Sequence, residues 1–410
     1  MRARLLPLLL LATTLGCAGC PRPQSAPAPT PGPDATGADS GEDVRSDGGN
    51  ADIRAACTLM PEGQYGPTGR VAVRTEVVAK GLEVPWSLAW LPDGTMLLTE
   101  RPGRLRRVSP EGVLDPEPVA VVPSLATGEG GLMGLALDPD FASNRRLYLY
   151  LTSNAGGQTR NRIERWTLSP GWEARLDRVI VDDIPAATSH DGGRLRFGED
   201  GFLYAATGDA RDPALSRDPR SPAGKLLRLT TDGAPAPGNP TPESPVYLLG
   251  LRNLQAFDWL GEGRMVVADH GPSGEFGRRA HDEVSVVKAG DDLGWPEQHA
   301  CETVEGTVRP ALVFASAAPP GGLAIYQGEA IEAWKGSVLV ATLGSRNLLR
   351  LVFEGPALVE HEVYFQDTHG RLRDAVMGPD GHLYLTTSNC DGRGSCGPEG
   401  DVILRVLPAG

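Results

Sequence analysis

The chain is short of positive charge: 39 lysines and arginines stand against 52 acids, for a net charge of −13 over 410 residues. That deficit excludes a general nucleic-acid binder, which needs a basic face toward phosphate, and better suits a small neutral or cationic ligand. A bilayer-spanning run is also missing. The apolar stretch at residues 5–12 is too short to cross, and its flanks in MRARLLPLLLLATTLGCAGC are those of an export peptide. Residues 21–52 contain no aromatic side chain and are almost wholly Pro, Ala, Gly, Ser, Thr and acids. They cannot bury enough apolar surface to offset ordering entropy, so residues 21–60 are expected to be a disordered linker between a signal at 1–20 and a folded domain at 61–410. Finally, no histidine lies at zinc-ligand spacing from the cysteines, which argues against a thiolate metal site.

Four cysteines follow the signal, at 57, 301, 390 and 396. In an exported protein an even number implies disulfides. Three pairings are formally open. The short CDGRGSC loop favours Cys390 with Cys396, which leaves Cys57 for Cys301.

In excess are glycine and proline, 52 and 36 residues, which imply dense turns. Six stretches share one grammar: PWSLAWLPDGTMLLTERPGRLRRV, GLMGLALDPDFASNRRLYLYLT, GGRLRFGEDGFLYAATGD, NLQAFDWLGEGRMVVADHG, GLAIYQGEAIEAWKGSVLVATLG and LRDAVMGPDGHLYLTTSN. Each is an apolar strand, a turn rich in Gly, Asp or Pro, and a second strand, and four continue into a third such as GKLLRLT or DEVSVVK. Repeats of this kind, at an irregular period of roughly 45–70 residues, predict an all-β fold, a six-bladed β-propeller with an N-terminal tether. A two-sheet sandwich would need two domains, and no second linker is present.

Propeller loops converge on a funnel at one end of the central channel, so candidate site residues should stand at strand edges. His190 precedes GRLRF, Arg252 and Asn253 precede LQAF, His270 follows MVVAD, and Arg371 and Arg373 flank LRDAV. A single histidine in a turn, or an arginine beside acids, has an ordinary structural explanation. The set is more telling than any member.

Taken together, GEGGLMGLALDPDF, HDGGRLRFGEDGFLYAATGD, GLRNLQAF, DHGPSG, DEVSVVKAGDDLGWP and RLRDAVMGPDGHLYLTT resemble, in order and over about residues 75–407, the soluble pyrroloquinoline-quinone (PQQ) sugar dehydrogenases, nearest to the aldose sugar dehydrogenase branch. The resemblance implies PQQ and Ca2+ as cofactors and an aldose, oxidised at its anomeric hydroxyl to a lactone, as substrate, with an electron acceptor that the sequence does not name. It implies that His190 is the general base and Asp209 its orienting acid, a pairing that suits imidazole because its ordinary pKa is near working pH. Glu129, Arg252, Asn253, Arg371 and Arg373 fall on cofactor-facing positions, arginine forks being well matched to the quinone's carboxylates. Gly271 and Pro272 fall on carbonyl ligands of the cofactor's calcium, and Glu283 on a ligand of a second, structural calcium.

The chain departs from that pattern at several places. GQGG reads GEGG, so Glu129 puts a charge where the family has a neutral amide. Leu251 replaces a histidine and Leu293 a tyrosine. A clamping lysine has no match, Arg346 being the nearest substitute, and EFGRRAH looks inserted. The leader is similar to a lipoprotein signal, with Cys17 or Cys20 as the lipidated residue and ordinary cleavage as the other reading; either makes the protein exported, periplasmic or at the cell surface, with membrane contact only through that anchor. Two other functions share the architecture: a non-catalytic binding propeller, and a metal-dependent lactone hydrolase, which would need a Glu/Asn/Asp metal cage on the axis.

Overall fold

The computed structural model describes residues 57–155 and 157–410; the expected signal, both candidate lipidation cysteines and most of the expected linker lie outside them. The described residues form six antiparallel sheets that follow one another around a ring. We number them blades 1 to 6. Their innermost strands are Pro85–Trp90, Leu132–Leu137, Leu195–Phe197, Leu254–Gly261, Pro320–Ile325 and Leu372–Met377. This is the predicted six-bladed propeller.

Blade 6 is built from both ends of the chain. Its inner strands are Leu372–Met377, Leu383–Thr387 and Asp401–Pro408, and its outermost is Val73–Leu82, which pairs antiparallel with Asp401–Pro408. The ring is thereby closed by backbone hydrogen bonds. A second N-terminal segment corrects the expected linker boundary: Thr58–Met60 adds a parallel fifth strand to blade 4 beside Leu312–Phe314. Three residues have little strand signal of their own, and the Cys57–Cys301 disulfide brings them to that edge. The other bridge is Cys390–Cys396, so both favoured pairings are present.

The core is divided. Six apolar clusters are found among the described residues, each between two neighbouring blades; Leu97 and Leu149 meet between blades 1 and 2, for example, and Leu339 and Leu385 between blades 5 and 6. The middle strand Met96–Glu100 is buried along its whole length because it faces a neighbour on both sides, so its polar Thr99 and Glu100 are buried along with Met96, Leu97 and Leu98. Growth by repetition explains how one body of this length avoids an oversized single core.

At the ring's centre lies a polar tie. Arg194, on the loop entering blade 3, donates from Nε to the Gln255 carbonyl in blade 4 (3.1 Å), from Nη2 to the Gly321 carbonyl in blade 5 (2.9 Å) and from Nη1 to Asp374 in blade 6 (2.9 Å). Its guanidinium also stacks 4.5 Å from the Trp86 ring centroid of blade 1. Both charged side chains are buried. Replacing Arg194 by methionine keeps the bulk but leaves Asp374 a buried, unpaired acid, and is expected to lower unfolding free energy at neutral pH by ~3–5 kcal/mol. Urea denaturation should record that loss, and Arg194→Met with Asp374→Asn should recover part of it.

Candidate active site

The hairpin of blade 3 brings the first pair together. Leu195–Phe197 and Leu203–Ala206 run antiparallel, so the residues before the first strand and after the second emerge at the same end. His190 and Asp209 meet there: His190 Nδ1 lies 2.7 Å from Asp209 Oδ1, with both side chains almost wholly buried. An Nδ1–H donated to this carboxylate leaves Nε2 as the ring's free acceptor. Asp209 is held in turn by the Trp295 indole N–H on Oδ2 (2.9 Å) and the Arg211 backbone N–H on Oδ1 (2.8 Å).

The backbone here is unusual. His190 has φ of +65°, a conformation that costs a non-glycine residue of order 1–3 kcal/mol. It is fixed from two sides: its N–H donates to Glu129 Oε2 (3.0 Å), and its carbonyl accepts from Ala210 N–H (3.2 Å). The glycine of TGD is required by this packing, since a Cβ on Gly208 would stand 2.0 Å from the His190 carbonyl oxygen.

Blade 4 supplies the next group. Asp269, at the end of strand Arg264–Asp269, accepts from the backbone N–H groups of Arg252 and Asn253 at 2.7 Å each and so fixes the loop that presents both side chains. Burial raises this acid to about 6, with those two N–H groups pulling the other way. The Asn253 side-chain carbonyl accepts from Gly192 N–H (3.0 Å), and its amide faces His270 Nδ1 (3.2 Å), while His270 Nε2 faces the Pro320 carbonyl (2.7 Å). Burial pushes His270 down, so it is neutral and donates from Nε2. Arg252 Nη2 donates to Glu275 Oε1 (2.9 Å), an oxygen that also lies 3.7 Å from His190 Nε2. Burial opposes the Glu275 charge, but backbone N–H groups and Arg252 hold it down to about 2, so a carboxylate stands beside the free face of the base.

A cavity opens next to this group, lined by Trp86, Arg101, Gln255 and His270 and by Arg373 and Arg393. The two predicted arginines of blade 6 differ. Arg371 is paired with Asp391 through Nε (3.0 Å) and Nη2 (2.9 Å), whereas Arg373 makes one hydrogen bond, to Gln255 Oε1 (3.1 Å). Burial lowers Arg373 to about 9. The buried Nε–H groups of Arg101 and Arg373 on this lining, and of Arg252 outside it, have no acceptor among the described residues, as holds also for Arg106, Arg162 and Arg405 elsewhere in the ring. Unsatisfied buried guanidinium donors are costly alone and are suited to a polycarboxylate ligand, so these residues fit the quinone implied by the sequence. Glu129 lines the same cavity as an ion-paired group, 2.8 Å from Arg393 Nη1.

The residues expected to hold calcium offer oxygen atoms that no described residue occupies. The carbonyls of Gly271 and Pro272 accept no hydrogen bond among the described residues, and the Glu283 carboxylate has neither hydrogen bond nor ion pair there. Burial, with Asp269 and Asp282 nearby, pushes Glu283 well up, and a hard cation would relieve that penalty. Arg346 does not replace the missing lysine. It is half exposed, paired with Asp367 at 2.7 Å, and does not line the cavity. Leu251 and Leu293 are buried in the apolar cluster between blades 3 and 4.

Sequence reasoning missed Trp295, Glu275 and Arg393. Each was inside a quoted motif but read for something else: DLGWP for the tyrosine lost at Leu293, EFGRRAH as an insertion, CDGRGSC as a disulfide loop. Trp86 lay in a repeat strand and Arg101 in the turn after one, where the pattern signalled only packing and reversal.

Comparison with known proteins gives four findings. The family model described as Glucose / Sorbosone dehydrogenase matches residues 82–404. An aldose sugar dehydrogenase of Escherichia coli is 29% identical over 352 residues, 78% of this chain and 91% of that one. Among solved structures, the PQQ-bound aldose sugar dehydrogenase of Streptomyces coelicolor is 35% identical with a TM-score of 0.74, covering 83% of this chain and 99% of that one. A Thermus thermophilus protein, a candidate glucose dehydrogenase, is 42% identical with a TM-score of 0.75, covering 82% and 100%.

The site's acids carry a stability signature. Asp191, beside the base, is raised to about 6 by burial, against hydrogen bonds from Asn161 and the Ala187 N–H. Because the folded state then holds a proton that the unfolded chain releases near its ordinary 3.8, stability falls as pH rises through the window from 3.8 to about 6. Asp191→Asn mimics the protonated form, so the difference in Tm between variant and wild type should grow in the variant's favour across that window and be flat below it.

Proposed function

The chain belongs to the glucose/sorbosone dehydrogenase family, and from that premise we propose that it oxidises the anomeric hydroxyl of an aldose to the lactone, with PQQ and Ca2+ bound in the funnel and His190 as the general base. The observation that carries this reading is the buried His190–Asp209 pair, next in the chain to Asp191 and Gly192 on the lining of a cavity that also holds Arg101, Arg373 and Arg393.

The protein's own work divides among named groups. His190 Nε2 takes the hydroxyl proton, and Asp209 holds the ring in the tautomer that leaves that nitrogen free and stabilises the cation that forms. Trp295 and the Arg211 N–H keep Asp209 from turning away. Arg252, Asn253, Arg371 and Arg373 would seat the cofactor, with the unpartnered Nε–H groups of Arg252 and Arg373 as the first donors available and Arg371 positioned through Asp391. The carbonyls of Gly271 and Pro272 would hold its calcium, and Glu283 a structural one. When bound, the quinone supplies the two-electron acceptor and the ion supplies Lewis acidity toward it. Glu275 stands where a sugar hydroxyl approaching His190 Nε2 would meet a hydrogen-bond acceptor.

The axis favours this reading over a metal-dependent hydrolase, because the guanidinium of Arg194 fills the place that a metal cage would need. The leader supports export, with Cys17 or Cys20 as the anchor point and oxidation taking place outside the cytoplasm.

The test is to purify the domain, add PQQ and calcium, and follow dye reduction with a panel of aldoses. Turnover is expected, abolished by chelating the calcium, and His190→Ala should lower kcat by ~10²- to 10⁴-fold. Asp209→Asn should also lower kcat, by disturbing the tautomer. Absence of turnover on every sugar would overturn the proposal, while full activity in His190→Ala would overturn only the choice of base.

A further inference from the structure

Glu129 and Arg393 are 264 positions apart and come from opposite sides of the ring seam, yet they form one bridge across the cavity. Glu129 lies on the loop between blades 1 and 2. One of its carboxylate oxygens accepts from Arg393 Nη1 (2.8 Å) and the other from the backbone N–H of His190 (3.0 Å). The second bond acts on a residue whose φ is +65°, so it supports a left-handed backbone in the site. A neutral glutamine oxygen could accept the same bond. A carboxylate accepts it more strongly but also places a negative charge where a polycarboxylate cofactor must lie.

Arg393 offsets that charge, and its delivery is built into the fold. It stands inside the loop closed by Cys390–Cys396. The loop is pinned by Asp391, which binds Arg371, and by Asn389, which accepts from Arg371 N–H (2.9 Å) and donates to the His369 carbonyl (3.0 Å). The guanidinium is thus brought to Glu129 by a covalently closed, multiply anchored loop. Burial works against the Glu129 charge, and the groups that meet its two oxygens are the Arg393 guanidinium at 2.8 Å and the His190 N–H at 3.0 Å, so Arg393 is the cation hydrogen-bonded to it.

We propose that Glu129 and Arg393 act as a single positioning pair: Glu129 fixes the backbone of His190, and Arg393 cancels its charge so that the cavity admits the anionic quinone. The charge half rests on the function proposed above. The backbone half does not.

Two measurements test it. Binding of PQQ to the calcium-loaded protein, followed by tryptophan fluorescence, should weaken by about tenfold or more in Arg393→Gln, where the carboxylate is left unopposed, and return to within about threefold of wild type in Glu129→Gln/Arg393→Gln. A double variant as weak as Arg393→Gln, or an Arg393→Gln variant that binds as wild type does, overturns the charge half. Amide exchange at His190 in the quinone-free protein reads the other half: it should speed up by about tenfold or more in Glu129→Ala and stay near wild type in Glu129→Gln, with core strand amides unchanged in both. Unchanged exchange at His190 in Glu129→Ala, or equal acceleration in both variants, overturns it. A wild-type protein that takes up no quinone overturns the dehydrogenase reading and the charge half together, and the exchange result still decides the backbone half.

Discussion

The arrangement of this molecule depends on one buried guanidinium. A ring of six blades packed pairwise has apolar contacts at every interface but none of its own at the centre, where the innermost strands present backbone edges to one another. Arg194 fills that place with three hydrogen bonds to three different blades and a stacking contact to a fourth. The planar fork suits the task, because its donors leave in fixed directions and can reach carbonyls on separate strands; an ammonium could not span them. The charge is offset by Asp374, so the tie is an ion pair as well as a brace.

The same residue explains the rigidity of the site. His190 and Arg194 lie on one short loop, HDGGR, so anchoring its far end at the axis limits the movement of the near end. Further bonds come from Glu129 and Asp209, and from Asn253, whose side chain reaches Gly192 N–H on that loop. The base therefore rests on several blades at once, which is what general-base geometry at a tolerance of about half an ångström requires and what a flexible loop could not supply.

Much of this was legible in the sequence, and the rest was hidden for physical reasons. Strand and turn chemistry is local, so the repeats declared themselves, and with them the hairpin that joins His190 to Asp209. Arg252, Asn253, Arg371 and Arg373 were visible as polar residues beside apolar strands. Glu275 and Arg393 were not, because the partners that give them meaning, Arg252 and Glu129, lie on other segments. The strand at Thr58–Met60 was absorbed into the linker because three residues carry no period; its evidence is the disulfide partner at Cys301. Glu129 was legible as an oddity but not as a pair, since nothing local shows which cation faces it.

The shared blade 6 imposes an order on biogenesis. Val73 faces Pro408 across the closing ladder, so a strand made among the first waits for one made among the last. Loops that span most of a chain close slowly, and the two blades at the open interface each keep one flank uncovered until they do. A product cut short at its C-terminus therefore lacks the strand on which the first part of the ring must close, and keeps an unpaired edge at Val73–Leu82.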